Sequence, residues 1–403
     1  MIKKNQNFDL KELKDIGFPY KEYLQIKDAI ELKKGKLRII GGNVRDYLLK
    51  KKISSNPDLA TNLNPEEVIF CMKKKKINYL DSAVQYGTIV AIINNIKFEI
   101  TSLRKDISSD GRWPVVSFTD EWVEDAKRRD FTINSIYLSE QGFFDPLKGM
   151  NDLNKKRVIF IGNPKDRIIE DNLRILRFLR FSCLYAKDFD SKGLEAINFF
   201  SDKLKTVSFE RRFSELKKFI CLKTFEKDFK KIMNTRVLQN CFENEISELA
   251  IKFFKIERKL GDISYLRRVK FFLRSSDNLK FILNNSSFKK NEIKRISETL
   301  DIDYSLDYVE LLYRNNKESL IDQIIFDYVD KKINESLVIK IYDICHDWKK
   351  PRFPISGNDI KSLGISDGLI IGKLLKEVEN WWVKKGLKPN KQGCIKKAKS
   401  LLP

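Results

Sequence analysis

A change of texture at Asn163-Pro164 constrains this chain more than any other feature of its sequence. Before it, short runs rich in β-branched residues are closed by Gly, Asn and Pro. After it, Leu, Ile and Phe recur at helical spacing among Lys and Glu. The first pattern makes strands and tight turns, the second makes amphipathic helices. The expectation is an α+β chain: a small mixed domain up to about residue 160, then a mostly helical stretch over residues 165–403. Helix breaks are expected at Asn284-Asn285-Ser286-Ser287, at Asp301-Ile302-Asp303 and from Pro351 to Gly357. No repeat of fixed period is visible.

Charge narrows the partners. Lys and Arg total 78 and Asp and Glu 56 over 403 residues, a formal net charge of +22. Clustered cations displace the counterions of phosphates, so nucleic acid is the expected partner. A Lys-rich solvated surface is the plainer reading of the same numbers. No run approaches the roughly 18 apolar residues of a membrane span. The polar start Met1-Ile2-Lys3-Lys4 lacks an apolar signal core. The six cysteines are scattered without a Cys-x-x-Cys pair, which fits a reducing cytoplasm and excludes a zinc ribbon. His346 is the single histidine, so a histidine-based hydrolase triad or multi-histidine metal site is excluded. Chemistry must run on carboxylates, Arg and Lys.

Within the first domain, Leu37-Arg38-Ile39-Ile40 reads as a strand closed by Gly41-Gly42, with Asn43 as helix N-cap and Val44, Tyr47, Leu48 and Lys51 at helical spacing. Glycines let the backbone approach a ligand, and a helix start offers N–H groups to phosphate, with Arg45 adding a cation. A Gly-Gly pair is also an ordinary strand–helix turn. Asp58 opens a second short strand, Pro57 to Thr61. A carboxylate there can hold Mg²⁺ against phosphates, or merely cap the turn after Pro57. Asn64-Pro65 opens a helix. Gly87 to Ile93 and Ile96 to Thr101 form a hairpin across Asn94-Asn95, the first strand continuously apolar and expected to be buried on both faces.

Two further clusters carry charge. Arg128-Arg129-Asp130 precedes the apolar Ile133, Ile136 and Leu138, which would hold the pair rigid. Asp171, Arg174, Arg177 and Arg180 recur every third residue along one expected helix. Such a row is commonly a salt-bridged surface. It can also read a base: Asp accepts from the exocyclic amine of C or A, Arg donates to the adjacent ring nitrogen, and G and U mismatch both.

Taken in order, Gly41-Gly42-Asn43-Val44-Arg45-Asp46, Asp58-Leu59-Ala60-Thr61-Asn62, Phe98 to Arg104, Arg128 to Asn134 and Glu170-Asp171-Asn172-Leu173-Arg174 resemble the class II tRNA nucleotidyltransferases, which comprise CCA-adding enzymes and bacterial poly(A) polymerases. Ser208 to Leu216 is similar to the next helix motif, and Pro354 to Trp382 to the tail of some members. The resemblance implies a polymerase-β-like nucleotidyltransferase head (residues 1–165), a helical neck (166–235) and a helical body and tail (236–403). It implies CTP and ATP as substrates, the tRNA acceptor arm as partner and Mg²⁺ as cofactor, and leaves the oligomeric state open. Gly41, Gly42, Arg45 and Arg129 would contact the nucleotide, with Asp130 beside Arg129 in the catalytic centre. Asp171 and Arg174 would read the base, and Arg177 and Arg180 would complete the pocket.

The family carries its metal on an Asp-x-Asp pair. Asp58 matches the second carboxylate, but Asn56 stands at the first. Glu99 is the expected substitute ligand, Asp46 a weaker one. The alternatives are a poly(A) polymerase, an enzyme adding only CC or A, and a degenerate homologue that binds RNA without catalysis.

Overall fold

The computed structural model describes residues 8–51, 56–108, 115–274 and 276–402. The Met1–Asn7 start and the loop before Asn56 lie outside the described residues. The chain divides into two compact units, Met1–Asn244 and Glu245–Pro403.

The first unit holds every strand among the described residues. They are β1 (Leu37–Ile40), β2 (Asp58–Thr61), β3 (Asn78–Ala83), β4 (Thr88–Ile93), β5 (Ile96–Ser102), β6 (Arg104–Ser108), β7 (Val115–Phe118), β8 (Tyr137–Ser139) and β9 (Gly142–Phe144). Seven form one mixed sheet in the order β3-β4-β5-β2-β1-β8-β9, and β6 and β7 pair separately. β2 is central, antiparallel to β1 and parallel to β5, with Asp58 opposite Glu99. The β4–β5 hairpin turns on Asn94 (φ 51°) and Asn95 (φ 62°). Both are left-handed, as a two-residue primed turn requires.

Two helices, α1 (Tyr20–Glu31) and α3 (Pro65–Lys74), cover one face of this sheet, with the short α2 (Gly42–Leu48) between them in sequence. Tyr23, Ile26, Val68 and Met72 from the covering helices meet Ile39, Leu59, Phe98 and Ile100 from the strands. Each such side chain contributes about 1.5–3 kcal/mol by leaving water. The opposite face carries a smaller core of Ile40, Ala60, Leu103, Ala126 and Tyr137. Period-2 alternation therefore puts Asp58, in step with Ala60, on the second face. The same alternation corrects the reading of β4. Ile89, Ala91 and Ile93 are buried while Thr88, Val90 and Ile92 are only half-buried, because the covering helices lie on one face alone.

The rest of the first unit is helical: α4 (Trp122–Lys127), α5 (Gly149–Asn154), α6 (Pro164–Glu170), α7 (Arg174–Tyr185), α8 (Ser191–Phe199), α9 (Phe209–Ile220), α10 (Phe225–Met233) and α11 (Val237–Phe242). An aromatic cluster fixes α7 to the loops after α4 and α5. Phe178 stacks on Phe160 with centroids 5.1 Å apart, and Phe131 meets Phe160 at 4.9 Å and Phe181 at 5.4 Å.

The described part of the second unit is helical apart from its connections. The three expected breaks fall where Asn, Ser, Asp and Pro interrupt the periodicity: after Asn284, between Ser297 and Tyr308, and between Asp347 and Gly357; helices also end at Leu260, Leu273, Arg314, Val329, Lys361 and Lys384, which the periodicity did not mark. Two buried arginines are paired there, Arg267 with Asp322 at 2.8 Å and Arg268 with Glu257 at 2.6 Å, whereas the buried Lys270 Nζ has no hydrogen-bond partner among the described residues. Burial without partners would cost several kcal/mol per ion. No described helix is long and apolar enough to cross a membrane.

Candidate active site

The sheet face bearing Asp58 opens into a cleft of about 410 Å³. Gly41, Gly42, Arg45 and Asp58 line one side; Arg128, Arg129, Asp130 and Asn134 come from the loop after α4; Asp171, Arg174, Arg177 and Phe181 come from α6, α7 and their junction. Nine of the residues singled out in the sequence thus converge here from four separate segments. Asn56, Glu99 and Arg180 are not among the lining residues.

β1 passes into α2 through Gly41, whose φ of +67° and ψ of −127° a side chain would strain. A methyl group built on Gly41 would stand 3.6 Å from Asp58 Oδ2. The turn and the carboxylate are therefore neighbours. The N-cap is Gly41 itself, with no side-chain cap, and Asn43 is buried inside the helix. The expected cap was two residues too late because the helix starts at Gly42, where sequence periodicity carries no signal.

Burial, and then the negative charge of Glu99, push the Asp58 carboxyl up to about 6 against the pull of Arg129 and Arg45. Glu99 is exposed on the neighbouring strand, in register with Asp58. Asn56 Oδ1 instead accepts from the Lys97 backbone N–H at 3.4 Å. Among the described residues no three His, Cys, Asp or Glu side chains gather as a metal cage. The Asp58–Glu99 pair still fits a hard divalent cation. Mg²⁺ binds through one or two carboxylates, keeping waters and phosphate oxygens in its remaining positions, and a cation would relieve the repulsion between the two charges.

Facing Asp58 is a relay of hydrogen bonds. Arg45 Nη1 donates to Asn134 Oδ1 at 2.6 Å, and Asn134 Nδ2 donates to Asp130 Oδ1 at 2.9 Å. Asp130 Oδ2 receives Arg177 through Nε at 2.8 Å and Nη2 at 2.5 Å. Burial opposes the charge on Asp130, but Arg177 and Asn134 outweigh it and hold the carboxyl down at about 2. Both Asp130 oxygens are thus engaged by protein, and its part in the site is to fix Arg177 and, through Asn134, Arg45.

Arg129 is anchored in the same manner. Its Nη2 donates to Asp125 Oδ2 at 2.9 Å and its Nε to Tyr137 Oη at 3.3 Å. Asp125 also accepts from Arg128 Nε at 2.8 Å and Tyr137 Oη at 2.7 Å. It is 1% exposed; burial opposes its charge, yet the two guanidiniums hold it well below the usual carboxylate range. Asp125 escaped the sequence reading although its spacing to Arg128 and Arg129, i to i+3 and i+4, is a helical pairing signal.

The row from Asp171 to Arg180 does not ride one helix. Asp171 is the extended C-cap of α6 (φ −153°), and α7 begins at Arg174. Asp171 accepts from Arg211 Nη2 at 3.0 and 3.1 Å. Arg174 Nη1 donates to Glu170 Oε2 at 2.6 Å and Arg167 O at 2.9 Å, and its Nη2 to Arg128 O at 3.2 Å. Arg180 turns to Glu215 on α9 and lies over the Phe181 ring at 4.3 Å. Arg211 and Glu215 had no local signal for these roles, being 40 and 35 residues from their partners.

Residues 37–159 match the Poly A polymerase head domain family. The "CCA tRNA nucleotidyltransferase 1, mitochondrial" of Homo sapiens is 30% identical across 89% of this chain and 85% of its own length. This chain belongs to the CCA tRNA nucleotidyltransferase family. It is a nucleotidyltransferase enzyme with the family's mixed-sheet head and helical remainder. Solved members share the fold at low identity. The Bacillus stearothermophilus CCA-adding enzyme in complex with CTP aligns at TM-score 0.71 and 20% identity, covering 91% of this chain and 93% of that one. The Thermotoga maritima CCA-adding enzyme complexed with tRNA aligns at TM-score 0.62 and 18% identity, covering 99% and 97%.

Proposed function

We propose that this nucleotidyltransferase adds C, C and A to the 3′ end of tRNA, without a nucleic-acid template, from CTP and ATP. The observation that carries this is the placement of Asp58 against the Gly41 turn, facing a guanidinium-lined cleft that ends at Asp171 and Arg174. The triphosphate lies along Gly41, Gly42, Arg45 and Arg129, whose charge and fixed geometry lower the cost of gathering phosphates in one place. Asp58 and Glu99 would hold Mg²⁺, with Asn56 contributing no charge. When bound, the ion neutralises triphosphate charge and polarises the α-phosphate. The tRNA 3′ hydroxyl gives up its proton to solvent, its oxygen bonds that phosphorus, and the bond from the α-phosphorus to pyrophosphate breaks.

Asp171 and Arg174 read the base by exchanging Arg211 and Glu170 for its edge; Arg177, fixed by Asp130, closes the pocket. Arg180 acts from behind through α9. We assign residues 1–165 to the head, 166–235 to the neck and 236–403 to the body and tail that hold the acceptor arm by its phosphates. The described cysteines are all free, which supports the cytoplasm as compartment.

A second reading, a homologue that binds RNA without catalysis, is favoured by Asn56 alone. Incubating a tRNA trimmed of CCA with CTP and ATP, singly and together, and sequencing the ends separates these cases. CTP alone yields CC in a CCA-adding enzyme and nothing in a poly(A) polymerase. An A-only enzyme extends only a CC-ended tRNA, and the degenerate homologue retains tRNA unextended.

A further inference from the structure

Two lysine runs that are distant in sequence meet on the head, on the helices covering the sheet face opposite Asp58. Lys33 and Lys34 follow α1, and Lys73, Lys74, Lys75 and Lys76 end α3; all six are exposed. Between them Phe70 is 41% exposed, with Lys33 Nζ 4.7 Å and Lys74 Nζ 5.7 Å from its ring centroid. None of the six forms an ion pair among the described residues. The neighbouring acids are otherwise engaged or few: Glu31 pairs with Lys27, Glu67 closes the α3 capping box, and Glu66 stands one turn before Phe70.

A helix C-terminus favours one or two cations through its dipole. Six lysines without an ion pair at two neighbouring helix ends, two of them (Lys33 and Lys74) over the exposed Phe70 ring, exceed that need. They repel one another, and a polyanion relieves the repulsion by replacing the small counterions gathered there. A flat ring accepts a stacked base in place of an ammonium group lying over it, while the displaced lysine and its neighbours take the phosphates on either side. Apolar exposure here is confined to Phe70 and Leu32, too little to insert into a lipid surface.

We propose that this patch binds an unpaired loop of the tRNA, away from the 3′ end being extended. The proposal rests on the reading of the chain as an enzyme acting on tRNA. Phe70 stacks one base, and the two lysine runs grip the phosphates flanking it.

The test measures binding of a fluorescent oligo(U) of about 12 nucleotides and of a tRNA transcript, at several salt concentrations, to the full chain and two variants. One variant carries Lys73→Gln, Lys74→Gln, Lys75→Gln and Lys76→Gln; the other carries Lys33→Gln and Lys34→Gln and reaches the patch from another helix. At about 0.7 per phosphate contact, the slope of log K against log salt falls by about 2 to 3 in the first and about 1 in the second. Phe70→Leu weakens oligo(U) roughly tenfold through the lost stack. The KM for full-length tRNA rises in all three, while CTP addition to a short acceptor minihelix does not change. The proposal is overturned if oligo(U) fails to bind the parent chain, if both lysine variants keep the parental slope, or if the patch retains phosphatidylserine vesicles and not RNA. A chain that binds oligo(U) through the patch yet extends no tRNA contradicts the polymerase reading and leaves the patch standing. One that extends tRNA with unchanged slopes contradicts the patch alone.

Discussion

Replacing Asp58 by Asn should stabilise the metal-free protein while stopping catalysis. The Asp58 carboxyl rises from an ordinary 3.8 to about 6 on folding, through burial and the Glu99 charge. The folded state therefore holds the Asp58 proton more tightly than the unfolded state does. Stability from this group is complete below the unfolded value and is lost as pH rises through the folded one. Two units at about 1.36 kcal/mol each make the charged side chain cost about 3 kcal/mol above pH 7. Asn mimics the protonated form and escapes that cost. In a unit of this size the gain is worth roughly 6–12 °C of melting temperature. The assay is thermal melting of both proteins in EDTA from pH 4 to pH 8. The two should melt together near pH 4 and diverge as pH rises, the variant being more stable at pH 8. A divalent ion should raise the parent and leave the variant unmoved. A gap that does not grow with pH, or a less stable variant at pH 8, would refute the electrostatic account of Asp58 and Glu99.

Other consequences are accessible to simple assays. Asp125→Asn removes the acceptor holding Arg128 and Arg129 and leaves buried charge uncompensated, so melting should reveal a loss of about 3–5 kcal/mol. The KM for CTP should rise in that variant with tRNA affinity unchanged; a stable variant with normal CTP kinetics would contradict the anchoring role. Arg174→Ala should lower the preference for CTP over UTP by roughly ten- to a hundredfold before extension itself is lost, measured by competing the two nucleotides; undiminished selectivity would end the template idea. Asn56→Asp should speed CTP incorporation at limiting Mg²⁺ if a ligand is missing, and an unchanged rate assigns that place to Glu99, whose conversion to Gln should then slow it.

The parts of the fold that were legible in the sequence are those written in local periodicity. β1, the Gly41-Gly42 turn, the Asn94-Asn95 hairpin and three of the helical breaks in the second unit follow from residues within a few positions of one another. The burial of β4 was misjudged because an apolar run does not reveal which sheet face the helices cover. The cleft residues were legible as types, since clustered Arg and Asp without histidine leave few chemistries. Their pairing was not. Asp171 is held by Arg211 and Arg180 by Glu215, contacts set by the packing of α9 against the α6–α7 junction and α7. The break at Asp171 was hidden for a related reason: an i, i+3 row of charges looks the same whether a helix continues or restarts. Asp125 was readable from its i+3 and i+4 spacing to Arg128 and Arg129.

The central claim is that Asp58 and the arginine-lined cleft perform ordered, base-selective addition to tRNA. Sequencing the 3′ ends of a trimmed tRNA after incubation with CTP and ATP tests it most directly. The account predicts a single product ending in CCA, absent with Asp58→Asn. Ends left unextended, or carrying runs of A with no C, would contradict it.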